Sequence, residues 1–208
     1  MGAKPKIENI IWDFDGVIVE SNSIREKGFR AVLATFPVDE VEALLEFHRE
    51  NGGLSRYVKF HYFFEEVRKE NVNDKTIKIY AEKFSRIMKE LMTNKEILIE
   101  ETVSFIKSNV EKYNFHIASG SDQEELRFLC AELGIADNFI SIHGSPKPKN
   151  EIVKDLLKAM GYDLSKTLLI GDAINDYEAA RANNIYFMAY NTNSILMAKS
   201  NLELKLSN

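Results

Sequence analysis

Two carboxylates set two residues apart, Asp13 and Asp15, stand at the end of an apolar, β-branched run and directly before Gly16. Such a run reads as a buried strand, and in an open α/β sheet ligands bind outside the carboxyl ends of the strands. Two acids this close repel one another unless a cation, a shared proton or solvent intervenes, so the pair points to a metal. Three later segments add polar groups in the same position. Phe115–Ala118 leads into Ser119-Gly120-Ser121, where a small hydroxyl beside a glycine lets O–H and backbone N–H groups converge on a phosphate oxygen. The loop Gly144–Lys149 offers a lysine just before a helix start, an ammonium suited to neutralising a phosphoryl group and a carboxylate nucleophile. Leu168-Leu169-Ile170 gives way to Gly171-Asp172-Ala173-Ile174-Asn175-Asp176, which adds one or two carboxylates. Oxygen donors alone, with room for water, are what Mg²⁺ prefers.

The elements that must position these groups follow from apolar spacing. Strands are expected at Ile7–Trp12, Asn114–Ser119, Phe139–Ile142, Thr167–Ile170 and Ile185–Tyr190. Helices are expected at Glu100–Val110, Gln123–Leu133, Asn150–Met160 and Asp176–Ala182. This alternation predicts a doubly wound parallel sheet of the Rossmann-like kind, with right-handed crossovers. Between Asn22 and Met92 the spacing predicts only helices. The first is stopped by Pro37, and the second is capped by Asp39 and broken at Gly52-Gly53. The third is capped by Ser55, and the fourth begins at Asn73 or Asp74. The division is therefore a core of residues 1–20 and 95–208 and an inserted helical domain of residues 21–94, large enough for a small bundle. The tail from Ser194 to Asn208 reads as a weakly amphipathic helix or a frayed end.

Composition narrows the function classes. A length of 208 residues suits one α/β domain with an insertion. A net charge of -5 without Lys or Arg runs argues against nucleic acid and anionic membranes as partners. No apolar stretch approaches the ~20 residues of a membrane span, and no apolar segment of a secretory signal follows the first residues. The single cysteine, Cys130, lies in an apolar helical pattern and reads as a buried, inert thiol. Together these predict a cytoplasmic protein.

The four segments, in this order, resemble the motifs of the haloacid dehalogenase superfamily phosphatases. Asp13-Phe14-Asp15-Gly16 matches the first motif, and its continuation Val-Ile-Val-Glu-Ser is similar to the phosphoglycolate phosphatase-like branch. Ser119 matches the second motif, the loop lysine the third, and Gly171 to Asp176 the fourth. The inserted helices stand where this family carries a mobile helical cap. The resemblance implies a Mg²⁺-dependent phosphatase that hydrolyses a small phosphorylated metabolite through an aspartyl-phosphate. Asp13 would be the nucleophile and Asp15 the general acid and base. The metal would sit on the Asp13 carboxylate, the Asp15 backbone carbonyl and Asp172, with Asp176 an outer ligand or a partner of the lysine. Ser119 and Gly120 would hold phosphoryl oxygens. An acid at position 15 sets the chain apart from dehalogenases. For the third motif, Lys149-Asn150-Glu151-Ile152 resembles one form and Lys147-Pro148 another; Lys149 is preferred because it abuts the helix start, and Lys147 is the alternate.

Substrate choice would lie in the inserted helices. Arg56 and Lys59, three residues apart at a helix start after Gly52-Gly53, are the candidate specificity residues, against a reading in which they form a solvated face. His61 reads as structural or surface, Arg25 and His48 are weaker candidates, and Asn175 reads as a turn or cap residue. Sugar phosphates and phosphoglycolate-like acids both suit the pattern, with slight preference for a sugar phosphate. A phosphomutase of the same family and a non-catalytic phosphometabolite-binding protein are the alternatives. Oligomeric state is left open by the sequence.

Overall fold

The computed structural model describes residues 5–206. Its centre is a parallel sheet of five strands: β1 (Asn9–Trp12), β2 (Asn114–Asp122), β3 (Ser141–Ser145), β4 (Thr167–Gly171) and β5 (Tyr186–Ala189). Their spatial order is β3-β2-β1-β4-β5, so the strand bearing Asp13 and Asp15 lies in the middle. β1 runs in register with both neighbours, Trp12 facing Ile117 on one side and Ile170 on the other. All strand ends that carry polar groups therefore open at the same edge of the sheet.

Alternation along β1 splits its side chains between two apolar layers. Ile10 and Trp12 join the larger layer, with Phe105 of α5 (Glu100–Ser108) and Leu126, Leu129 and Cys130 of α6 (Gln123–Glu132). The Trp12 ring lies 6.0 Å from Phe105 and 5.9 Å from Phe115, at tilted and edge-on angles favourable to aromatic pairs. Ile11 faces the other layer, with Ile152, Val153 and Leu156 of α7 (Lys149–Met160) and Ala179 and Ala180 of α8 (Ile174–Ala182). Cys130 is fully buried, and burial pushes its thiol up to about 12, as suits an inert packing residue.

The inserted helices are α1 (Asn22–Val32), α2 (Val38–Glu50), α3 (Arg56–His61) and α4 (Asp74–Leu91), and the chain continues beyond α3 as a π-helix over Tyr62–Val67. Ser55 and Asn73 cap α3 and α4 through their side-chain oxygens, as the sequence predicts. Aromatic rings make the bundle core: Phe29 lies 5.5 Å from Phe60 and 4.4 Å from Phe84, and Phe36 stands edge-on to Phe63 and Phe64. The two connections to the sheet pair with each other. Glu20 donates to the Ile97 carbonyl and Ile99 to the Ile18 carbonyl, and Val19 and Leu98 form an antiparallel bridge.

Some expected boundaries move. β3 starts at Ser141 rather than Phe139, because a 3₁₀ turn over Ala136–Asn138 delivers Phe139 into the core before the strand begins. β2 runs past Ser119 to Asp122, since its register with β3 shifts between Ala118 and Asp122 and resumes at Ser145. α2 begins at Val38, behind Pro37, so Asp39 lies inside its first turn rather than at its cap. Asp122 caps α6, accepting from the backbones of Glu124 and Glu125. The tail forms only the short α9 (Ser194–Met197), although Leu206 is buried again.

Candidate active site

The site is assembled where the strands end. Asp13 follows β1 and is buried, 2% exposed. Lys149, the first residue of α7, reaches its Oδ1 at 2.8 Å and also pairs with Asp176 of α8. Asp176 Oδ2 accepts the Ala173 N–H at 3.0 Å, which fixes the turn after β4. Lys147 lies outside this arrangement, exposed and paired with Asp155. The structure thus separates the two lysines that the sequence leaves as alternatives.

Asp13, Asp172 and Asp176 each offer a carboxylate oxygen within 4.8 Å of the other two. Burial and the nearby Asp176 push Asp13 up to about 7 in spite of Lys149. Burial and the charges of Asp13 and Asp176 push Asp172 up to about 8. Lys149 is shared between Asp13 and Asp176, and no cation pairs with Asp172 among the described residues. Three crowded carboxylates against one ammonium fit a hard divalent cation. Asp172 packs against Gly16, whose φ of 76° and missing Cβ permit the contact.

Asp15 is held quite differently. Its Oδ1 accepts from Ser21 Oγ at 2.5 Å and Arg25 Nε at 3.0 Å, and its Oδ2 from Ser121 Oγ at 2.6 Å and Arg25 Nη2 at 3.1 Å. Burial alone would raise its pKa, but the Arg25 guanidinium and the two hydroxyls outweigh it and hold the carboxyl down at about 2. Two carboxylates two residues apart are thereby driven in opposite directions. That divergence marks groups with different chemical tasks. Ser119 is buried next to this pair, and its Oγ accepts from the Ser121 N–H at 3.1 Å.

The inserted helices close over the strand ends. The Gly53 carbonyl rests against Gly120, and a Cβ at Gly120 would collide with it; a Cβ at Gly53 would strike Asn175. Tyr57 donates to Asp122 at 2.9 Å. Arg56 is buried and turned onto Glu125 of α6, with Ser85 of α4 as a further acceptor at 2.6 Å. Lys59 is buried too, 2.8 Å from His48 Nδ1 and 2.9 Å from the Gly52 carbonyl. Desolvation lowers Lys59 to about 7, and desolvation with the Lys59 charge lowers His48 to about 3. His61 stays at the surface beside Glu65. The cleft between Asp13, Arg25, Arg56 and Gly120 holds about 40 Å³, room for water, and a larger opening of about 410 Å³ adjoins it at Asn22, His48, Gly52 and Asp172. Gly120→Val is expected to hold the α3 loop off β2 and to cut turnover by about 100-fold at little loss of thermal stability, measured by kinetics and melting side by side.

The residues that periodicity undervalues here are Arg25, Ser21, Ser121 and Glu125. Each is buried in the polar cluster. Arg25 and Ser21 lie only 10 and 6 residues beyond Asp15, which brings the first turn of α1 back over the acid it follows. An arginine in the first turn of the helix that directly follows the acid pair is the signal in the sequence that finds it. Glu125 has no such local sign.

Comparison with known proteins agrees with this geometry. The family model for haloacid dehalogenase-like hydrolases matches residues 10–190. Comparison of the sequence with curated proteins returns no match. Among solved structures, β-phosphoglucomutase from Clostridium difficile has a TM-score of 0.75 at 19% identity, covering 95% of this chain and 90% of that one. CbbY from Rhodobacter sphaeroides, in complex with xylulose-(1,5)bisphosphate, has a TM-score of 0.76 at 17% identity, covering 95% and 93%. A predicted phosphoglycolate phosphatase from Haemophilus somnus has a TM-score of 0.66 at 14% identity, covering 88% and 84%. At these identities the likeness concerns the fold.

Proposed function

The chain belongs to the haloacid dehalogenase-like hydrolases, and on that premise we propose that it is a phosphatase acting on a small phosphorylated metabolite. The observation that carries this reading is the contact of Lys149 with both Asp13 and Asp176 beside Asp172, at the strand ends where Asp15 is separately held ionised. Asp13 attacks phosphorus and forms an aspartyl-phosphate. Lys149 neutralises charge on Asp13 and on the incoming phosphoryl group. Ser119 and the N–H groups around Gly120 bind phosphoryl oxygens. Asp15 protonates the departing alcohol oxygen and then takes a proton from the attacking water. In the closed arrangement described here Asp15 is in its base form; serving first as an acid requires Arg25 to withdraw from it. The Asp13 and Asp172 carboxylates and the Asp15 carbonyl, with Asp176 as an outer ligand, would hold a Mg²⁺ ion, which would supply charge neutralisation between nucleophile and phosphate.

Residues 21–94 act as a cap domain on the core of residues 1–20 and 95–208. The space beside Asp13 itself holds little more than water, and the cap swings about the paired connections at Ile18–Glu20 and Ile97–Ile99 to bring a phosphoryl group there. Arg56 and Lys59 lie on its inner face and bear on substrate choice, and sugar phosphates, like the bisphosphate found on CbbY, suit this polar wall. The reading places the enzyme among small molecules in the cytoplasm, without nucleic acid or membrane; no helix among the described residues is long and apolar enough to span a bilayer.

Phosphate release from a panel of sugar phosphates and phospho-acids, with Mg²⁺ and with EDTA, tests the proposal. Mg²⁺-dependent release from at least one compound supports it, and none from any compound sinks it. The tight closure favours one second reading, a phosphomutase that shields its aspartyl-phosphate from water. Phosphate exchange within a bisphosphate, without net release, identifies that enzyme.

A further inference from the structure

Glu125 is fully buried in the first turn of α6, and the phosphatase chemistry above gives it no task. Its Oε1 accepts from Arg25 Nη1 at 2.5 Å and from Arg56 Nη2 at 2.7 Å, and its Oε2 accepts from Arg56 Nη1. Arg25 spends its remaining donors on Asp15 and Ser121. Arg56 spends its own on Ser85, and its guanidinium lies 4.7 Å over the Phe84 ring. The result is a buried row of alternating charge, Asp15, Arg25, Glu125, Arg56, that runs from β1 through cap helix α1 and core helix α6 to cap helices α3 and α4. Both arginines belong to the cap, and Glu125 is the core residue that binds the two together.

We propose that Glu125 is a positioning residue that clasps the closed cap and sets the net charge of the cleft wall. This rests on the phosphatase reading, because it assigns the clasp its effect on turnover. With Glu125 in place the two guanidiniums are matched by two carboxylates, so the wall does not trap an anion on its own. The same clasp aims Arg25 at Asp15. Opening the cap separates α6 from α1 and α3, and the carboxylate then exchanges both arginines for water. Without the carboxylate one guanidinium is left unpaired next to the phosphate site, and an anion such as phosphate takes the place of the missing charge.

The test is Glu125→Gln, which preserves shape and removes charge. Calorimetric binding of inorganic phosphate in the presence of Mg²⁺ is expected to tighten roughly five- to tenfold. On a turned-over substrate kcat is expected to fall at least about tenfold while KM falls or holds. A structural brace alone would lower the melting temperature and leave phosphate affinity and KM unchanged, and that result overturns the proposal. Glu125→Asp, which retains the charge, is expected to return phosphate affinity to the parental value. Adding Arg56→Gln to Glu125→Gln restores neutrality and is expected to do the same. If the single Gln variant does not fold, the comparison is made with Glu125→Asp and the double variant against Arg56→Gln alone. Equal phosphate affinity in the double variant and Arg56→Gln then overturns the proposal. Phosphate binding is read without turnover, so an enzyme that hydrolyses nothing offered to it still answers for Glu125, and the failure of one reading is distinguishable from the failure of the other.

Discussion

Asp13→Asn is expected to reduce phosphate release by about 10⁴-fold or more, the scale on which covalent nucleophiles are lost. The substitution is nearly isosteric at a site that is buried and closely packed, so the fold should survive it. The carboxamide has no anionic oxygen to attack phosphorus, and it also surrenders the charge that pairs with Lys149. Asp15→Asn should lose less, about 10²- to 10⁴-fold, because a missing proton-transfer group slows the chemistry without removing the bond-forming atom. Steady-state release from the best substrate of the panel, followed beside acid-quenched capture of the phosphorylated protein, separates the two. Asp13→Asn activity above about one hundredth of the parent would assign the nucleophile elsewhere.

The second large effect concerns stability, and its sign is opposite. In the metal-free protein Asp172→Asn is expected to raise the melting temperature at pH 8, because it removes one of three crowded carboxylates. Asp172 has its folded-state pKa raised from 3.8 to about 8. An acid shifted upward favours the fold while it is protonated, and that advantage is lost as pH rises from the unfolded pKa through the folded one. Asn escapes the loss. The gain should therefore be greatest at pH 8 and vanish toward pH 4. A benefit of about 2 kcal/mol, discounted for the partial exposure of the group, corresponds to roughly 4–8 °C in a chain of this size. Mg²⁺ should stabilise the parent at pH 8 and leave the variant almost unmoved. Thermal melts of both proteins at pH 5 and pH 8, with Mg²⁺ and with EDTA, check the four-way comparison. A variant less stable than the parent at pH 8 without metal would mean that these carboxylates do not repel as described.

How far the sequence foretold this site depends on the range over which each residue acts. Asp13, Asp15 and Asp172 sit just past strand ends and Ser119-Gly120 lies within the last residues of β2, and an apolar run that meets Gly is a local signal that needs no tertiary knowledge. The parallel sheet followed from the same alternation. Strand limits slipped where packing overrides local pattern, as when the turn over Ala136–Asn138 sends Phe139 inward ahead of β3. The sequence preferred Lys149 to Lys147 because it abuts a helix start, and the first turn of α7 brings its ammonium to Asp13 while Lys147 pairs with Asp155. Arg56 and Lys59 read as residues facing a cleft or solvent; both are buried, Arg56 against the distant Glu125 and Lys59 against His48 on the preceding helix. Glu125 itself is 100 residues from Arg25 and 69 from Arg56, and no spacing rule spans that distance.

The central placement of β1 also bears on how the chain folds. Asn9 pairs with Asn114 and Thr167, which follow it by 105 and 158 residues. Closing loops of that length costs on the order of 4–5 kcal/mol of chain entropy before any contact repays it. The helices α1–α4 are contiguous and close over shorter loops, Phe29 meeting Phe84 across 55 residues, so they are expected to form while β1 still awaits both of its partners. The strand that comes first among the described residues is thus among the last to be seated. Asp13 meets Asp172 and Asp176 only when β4 docks, so the mutual repulsion of the three acids is expected late in assembly. A divalent cation that relieves it should then slow unfolding and leave the rate of folding nearly unchanged.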